Sequence, residues 1–555
     1  MGDLHSEQSA ISRKDFLRGS AVAGLGAVGL GILAACSPGS GKDAEGGAAP
    51  QGSSGANIAW DKEVDVLVVG SGTAAYAALV AKGNGAENVL VIEKSVIWGG
   101  TSGTSGGTLW IPLSYTGQAV GMNDTREEAL AYMKLCAADR GNIKAMEAYI
   151  DNGNALLEWT RDTFGWEWGS GTPGAGFKDY YEPYQGYRSH GRQVDFAGGG
   201  AQEWLTLQEE LTGLGVEIML ETPATALVQD ETGAVIGVEA QSSGKAFNIK
   251  ASTCVVLGTG GFDHNPEMVA AFQSIPIYVS NAVQTNTGDG HAMGQAIGAQ
   301  LANMDTNWGL PSFIDVFDPA APAVYNMMWP DWGIYRSGAG SIIVNKQGRR
   351  FANESSAYAV FNRAFGNYDT GTLAYLNTPA VFICDSKYAV SGLPGGAKVN
   401  EDLPSILFKA DSLAQIAEHF GIDAAALEDE VATFNASAEQ GFDPAFHRGE
   451  KEVDRAIGAY HPYATELANP VLAPVATAPF YAALYVPGTC GTNGGLRTNE
   501  FAQVLTTKDE VIPHLYAVGN CTASISGGQY CGAGMTVGAG AVMSYIGVRK
   551  ALGLS

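Results

Sequence analysis

The apolar positions of the chain gather into a few unbroken runs, each followed by glycine, and these runs outline the fold. Val64, Val66, Leu67, Val68 and Val69 form one such run in "EVDVLVVGSGTAAYAALVAKGNG" (63–85). That is the pattern of a parallel strand buried on both faces. Gly70-Ser71-Gly72 turns the chain, and an Ala-rich helix is expected from Thr73. A second strand, "NVLVIEK" (88–94), ends in Glu93. Two further apolar runs with glycine exits lie far downstream, "STCVVLGTGGFDHN" (252–265) and "HLYAVGNCTA" (514–523). Between them, "GAGSIIVNKQGRRFANE" (338–354) reads as a hairpin around Lys346-Gln347-Gly348, and "DSLAQIAEHFGI" (411–422) as a helix with Asp411 at its N-cap. The pattern predicts an α/β fold. A discontinuous Rossmann-like dinucleotide-binding domain takes residues 60–305 and 488–555, and an inserted α+β substrate and catalytic domain takes 306–487.

The first 36 residues depart from this pattern. "SRKDFLRGS" (12–20) precedes an apolar stretch of about 15 residues ending in "LAAC" (33–36), too short to span a bilayer and suited to a signal h-region. "SRKDFL" resembles a twin-arginine export signal with Lys14 in place of the second arginine. "LAAC" resembles a lipobox, which would leave Cys36 as a lipidated N-terminus at the outer face of the cytoplasmic membrane. The alternative is ordinary cleavage after "LAA". Residues 37–59, rich in Gly, Ser, Ala and Pro, read as a flexible tether.

A net charge of −25 argues against a nucleic-acid partner, whose phosphates need clustered Lys and Arg. Membrane contact is expected only through the lipid anchor. Seven cysteines occur, none in a C-x-x-C pair, so no metal or haem site is expected, and the thiols should be free and buried. The chain is also rich in glycine, 74 of 555 residues, concentrated at strand ends; this points to close backbone approaches to a bound molecule.

The first strand, turn and helix make a dinucleotide site. Gly70, Gly72, Thr73 and Ala74 form the turn, and Ala75 replaces the third glycine of the G-x-G-x-x-G pattern while staying small. Glu93, about 20 residues on, stands where the ribose-binding acid belongs, with Lys94 beside it. The loop "WGGTSGTSGGTLWIP" (98–112) selects FAD over a nicotinamide. Its Gly100, Thr101, Ser102, Gly106 and Gly107 offer backbone N–H groups and hydroxyls to an extended, permanently held flavin. Gly260, Asp289, Gly519 and Asn520 complete the expected cofactor contacts from later strands and loops.

On these stretches, and on "DYY" (179–181), "NTGDG" (286–290), "RRFANESSAY" (349–358), "FHRGE" (446–450), "APFYAALYVPGTCGTNGGLRTN" (478–499) and "LYAVGNCTASISGGQYCGAGMTVG" (515–538), the chain resembles flavoproteins of the fumarate reductase/succinate dehydrogenase superfamily. Within it, the chain looks most like the 3-ketosteroid Δ1-dehydrogenases, although Cys531 stands where that family often has proline. The resemblance implies catalytic roles for Tyr180, Tyr358, Tyr530 and Gly534. Tyr530 and the Gly534 N–H would polarise a ketone oxygen, and Tyr358 would take the α-proton with Tyr180 in support. Tyr181 competes with Tyr180 for the supporting role. The implied substrate is a 3-ketosteroid, and a separate carrier, a quinone or redox protein, would exchange electrons with the flavin.

Two rival functions stay open on the sequence. Arg336 sits where fumarate reductases place a catalytic arginine, which keeps a fumarate- or urocanate-type enoate reductase in play. A non-catalytic flavin electron relay is the other. The direction of the reaction, dehydrogenation or enone reduction, also stays open. "YNMMWPDWGIY" (325–335) offers Met327, Met328, Trp329 and Trp332 as apolar wall or plain core.

Overall fold

The computed structural model describes residues 58–170, 178–318, 325–458 and 467–554, together with the backbone of Ser53–Ser54. The export segment, Cys36 and most of the tether lie outside the described residues.

Along the chain the elements that build the site are β1 (Lys62–Val69), α1 (Ala75–Gly83), β2 (Val89–Ile92), α2 (Gly199–Gly213), β3 (Lys245–Leu257), α3 (Asp289–Ala296), α4 (Tyr358–Phe361), β4 (Phe480–Val486), β5 (Val511–Ala517) and α5 (Met535–Ala551). β1 is buried along its second half, as its unbroken apolar run requires. It pairs in parallel with β2 on one side and β3 on the other, and β3 pairs in parallel with β5. The registers Val69↔Ile92, Leu257↔Val69 and Leu257↔Ala517 bring four strand ends to one edge. Strands from both halves of the sequence therefore share one sheet, and the loops that leave it converge at its carboxyl edge, where open α/β sheets hold their ligands. α5 is buried along most of its length and packs against α1. A helix apolar on all sides belongs in an interior.

A second sheet, antiparallel throughout, is built from Ser312–Ile314, Met328–Pro330, Ser341–Val344, Ala380–Cys384, Phe408–Ala410 and β4.

Three local expectations need correction. α1 begins at Ala75, not Thr73, because Thr73 and Ala74 still belong to the turn. Ser412, not Asp411, caps the helix Leu413–Phe420: its hydroxyl accepts from the Gln415 N–H, while the Asp411 N–H donates to the Gln415 side chain. Around residues 346–348 only Ser341–Val344 is a strand, joined after a turn by a single Val344↔Arg350 bridge, and its main partner is Ala380–Cys384. All six described cysteines are free.

Candidate active site

One cavity of about 520 Å³ runs along the carboxyl edge of the first sheet. At one end it is walled by Glu93, Lys94 and Asp289, and at the other by Tyr358, Tyr530 and Gly534. Between them lie Gly70, Gly72, Thr73, Gly100, Thr101, Ser102, Gly106, Gly260, Gly519 and Asn520. Residues read as cofactor contacts from segments some 450 positions apart thus face one space.

The cavity is narrow and glycine-walled for steric reasons. Gly70 has φ +103, and a Cβ there would lie 2.3 Å from the Gly258 carbonyl oxygen. No other residue permits that turn against the neighbouring strand. Glu93 is 7% exposed. Its Oε2 accepts from the Ser71 N–H at 2.9 Å and the Ser71 hydroxyl at 2.8 Å, and its Oε1 accepts from the Ser95 N–H at 2.8 Å. A carboxylate has about four acceptor positions, so Glu93 can stiffen the glycine turn and still receive a ribose hydroxyl. Lys94 donates to Thr287 and to Asp289, both at 2.7 Å, at the start of α3. Thr101 Oγ1 accepts from the Val283 N–H and the Asn286 amide, each at 3.2 Å, tying the small-residue loop to the 283–286 segment.

Two of the expected contacts do not line the cavity. Ala74 packs against Gly258: a Cβ on that glycine would sit 2.1 Å from the Ala74 methyl. Gly107 is pressed against the start of α2, where a Cβ would meet Gly199 and Gly200 backbone atoms at 2.4 Å. Both are small because elements meet there. The walls also include Trp332, offered by the sequence as wall or core, and residues that sequence reasoning did not assign, among them Thr259, Asn286, Ile334, Cys490 and Thr536.

The tyrosine end is built from three segments. Tyr530 precedes the turn into α5, whose N-cap is Gly534 at φ +90. A Cβ there would lie 2.6 Å from the Thr108 carbonyl, so the helix start is seated tightly on the 108–109 backbone. Tyr358 opens α4 after a loop held by a buried ion network: Arg350 donates to Glu354 at 2.6 Å and to Asp443 at 2.8 Å, all three side chains 1% exposed. Tyr180 is fixed by its N–H to the Cys531 carbonyl at 3.0 Å and by the Asp179↔Gly532 bridge. Tyr181 is engaged elsewhere, donating to Gln529 and stacking on Tyr184.

The three rings meet pairwise at 5.5 Å between centroids. Trp308 packs edge-on to Tyr530 at 5.1 Å, and Trp332 to Tyr358 at 5.2 Å. Tyr358 and Tyr530 line the cavity; Tyr180 stands behind them, its hydroxyl buried. The Tyr180 and Tyr358 oxygens are close enough to influence each other's ionisation, but no protein group completes full hydrogen-bond geometry with the Tyr180 hydroxyl. Burial pushes the ionisation of all three phenols upward. For Tyr530 the rise is moderated by Tyr358, by the Thr536 hydroxyl and by the Gly534 backbone, which all face its oxygen. Tyr530 is therefore a neutral donor at neutral pH.

Among the described residues lining the cavity, Lys94 is the only cation, and it is paired at the opposite end. Arg336 does not line it. Its guanidinium is fully buried, 3.3 Å from the Asp331 carboxylate, donates to the Ser356 carbonyl at 2.5 Å and lies over the Phe361 ring. Of the apolar stripe, Trp332 reaches the cavity, whereas Met327, Met328 and Trp329 pack into separate clusters.

Residues 65–537 match the family model described as FAD binding domain. The chain is 31% identical to a 3-oxosteroid 1-dehydrogenase of Mycobacterium tuberculosis, with 87% of this chain and 97% of that protein covered. It is 30% identical to a 4-oxocyclohexanecarboxylate 2-dehydrogenase of Sinomonas cyclohexanicum, covering 88% and 93%. A solved 3-ketosteroid Δ1-dehydrogenase from Sterolibacterium denitrificans, in complex with 1,4-androstadiene-3,17-dione, superposes with a TM-score of 0.80 at 26% identity, over 89% of this chain and all of that one.

Proposed function

The chain belongs to the FAD binding domain family, and from that premise we propose that it interconverts a 3-ketosteroid-like ketone and its Δ1-unsaturated enone. It is an FAD-dependent oxidoreductase acting on CH–CH bonds. Bound FAD supplies the hydride acceptor or donor. Glu93, the glycine turn and the 100–106 loop would hold it along the cavity.

The observation that carries the reading is the meeting of Tyr358, Tyr530 and the Gly534 backbone at a cavity end with no cation. A substrate carboxylate placed there would cost several kcal/mol without a matching charge. A neutral carbonyl oxygen asks only for hydrogen-bond donors, and each well-aimed donor stabilises a developing oxyanion by roughly 3–4 kcal/mol. Tyr530 O–H and Gly534 N–H provide them, the latter at a helix start that favours negative charge. Tyr358 exchanges the proton of the neighbouring carbon, as base in dehydrogenation and as acid in the reverse. Tyr180 supports it from behind. The enoate-reductase alternative loses its main residue, because Arg336 is committed to Asp331 away from the cavity. Electrons reach or leave the flavin through a separate carrier such as a quinone or redox protein. The N-terminal segment would export the folded protein and anchor it through a lipid on Cys36.

Assaying the FAD-loaded protein with 3-ketosteroids, 4-oxocyclohexanecarboxylate, fumarate and urocanate, in both redox directions, tests the reading. Turnover of ketones is expected. Turnover of fumarate or urocanate alone would refute it.

A further inference from the structure

A second, smaller cavity of about 30 Å³ lies behind the tyrosine end. Gly519, Asn520 and Thr536 line both cavities and form the partition between them. Trp308 also walls the small cavity, packing against Tyr530 and donating from Nε1 to Asn520 Oδ1 at 2.9 Å. Its remaining polar lining is Asn493, Thr498, Thr522 and Ser524. Asn493 is 1% exposed, and its buried Nδ2 has no protein partner. A buried amide donor without a partner is destabilising unless a water completes it. A void needs only roughly 10–15 Å³ of this kind of space per water, with two to four polar neighbours. Size and lining therefore suit one or two waters, and the Asn493 amide supplies a donor for them. Ser524 in this lining is half-buried.

The partition is chemically connected to the site. Thr536 lines both cavities, Tyr530 and Tyr358 line the first with their rings 5.5 Å apart, and Thr536 and Tyr358 both act on the ionisation of Tyr530. Tyr358 packs against the rings of Tyr180, Tyr530 and Trp332, and of these Tyr530 is the one that also touches Trp308 in the wall of the small cavity.

We propose that the small cavity holds ordered water which, through Thr536, carries the substrate α-proton between the tyrosine cluster and solvent. The inference rests on the ketone reading above. In dehydrogenation the α C–H bond breaks and a Tyr358 O–H bond forms. When the carbonyl oxygen no longer carries negative charge, Tyr358 passes a proton to Tyr530, Tyr530 to Thr536, and Thr536 to the water. Each oxygen accepts one proton and gives one, and a proton leaves at Ser524. No electrons enter this chain, since the hydride departs separately.

The test uses FAD-loaded protein with a 3-ketosteroid in D₂O, without an electron acceptor. Flavin reduction is followed by absorbance, and deuterium at the α-carbon of recovered ketone by mass spectrometry. Thr536→Val should slow deuterium incorporation about tenfold or more relative to flavin reduction, and Thr536→Ser should restore it. Ala539→Leu, which fills the small cavity from α5 and leaves every hydroxyl in place, should slow it likewise. Incorporation at the wild-type ratio in both Thr536→Val and Ala539→Leu overturns the conduit while leaving the ketone reading intact. A wild type that neither exchanges deuterium nor reduces its flavin overturns the ketone reading and the conduit with it.

Discussion

Replacing Tyr530 by phenylalanine removes one oxygen and leaves the packing that surrounds it. The ring keeps its contacts with Trp308 at 5.1 Å and with Tyr180 and Tyr358 at 5.5 Å. The lost hydroxyl opens on a cavity, and the groups that act on it, Tyr358, Thr536 and the Gly534 backbone, lose that neighbour while keeping access to the cavity, so stability should fall by about 1 kcal/mol. What disappears is one of two donors aimed at the ketone oxygen. At roughly 3–4 kcal/mol for such a donor, kcat should fall by about 10²–10³-fold. Anaerobic stopped-flow of flavin reduction by a 3-ketosteroid gives the chemical step, and the flavin-to-protein absorbance ratio gives the cofactor content. An intact FAD load with the predicted fall is expected. A fully loaded Tyr530→Phe protein within threefold of wild type would refute the polariser role.

Tyr180→Phe should leave thermal stability unchanged or raised, because the hydroxyl it removes is buried without a partner, yet lower kcat about tenfold through the loss of support to Tyr358; calorimetry and turnover read the two effects. The dehydrogenation rate should climb with pH across the neutral and alkaline range. Burial raises the Tyr358 ionisation, so the basic form is the minor one and gains with every increase in pH; a flat profile would remove Tyr358 as the base. Glu93→Gln should weaken FAD retention on gel filtration, since the charged acceptor that holds the Ser71 turn is gone; full loading would refute the ribose assignment. Glu203, fully buried on α2 with Tyr76 donating to it, has its carboxyl pushed up to about 8 by burial. The native state then binds the extra proton between about 4.5 and 8, so stability falls as pH rises through that window, by a few kcal/mol in all at up to about 1.4 kcal/mol per pH unit. Glu203→Gln should flatten that slope in denaturant titrations.

Local pattern made the cofactor half legible. A Val/Leu strand, a glycine turn and an acid at the next strand end are set by chain geometry over about 30 residues, and Gly70 and Glu93 stand where that geometry puts them. Local pattern misled where tertiary packing makes the same demand as ligand contact. Ala74 and Gly107 are small because Gly258 and α2 crowd them. Asp411 and Ser412 are both good caps, and the extended Ser412, whose hydroxyl accepts from the Gln415 N–H, takes the position. Trp332 was legible only as wall or core, and the walls contributed by Cys490 and Thr536 were not assigned, since nothing within any one segment shows that the three meet. Tyr358 and Tyr530 were found through family resemblance; the shared cavity end then supplied the physical reason for the pairing, while Tyr180's place behind the cavity was visible only in three dimensions.

Neutral donors at the Tyr530 end should polarise an uncharged carbonyl. Infrared difference spectroscopy of a bound, isotopically labelled 3-ketosteroid measures that polarisation directly. The C=O stretch should shift to lower frequency in the wild-type complex and return most of the way toward its free value in Tyr530→Phe. The same frequency in both proteins would contradict it.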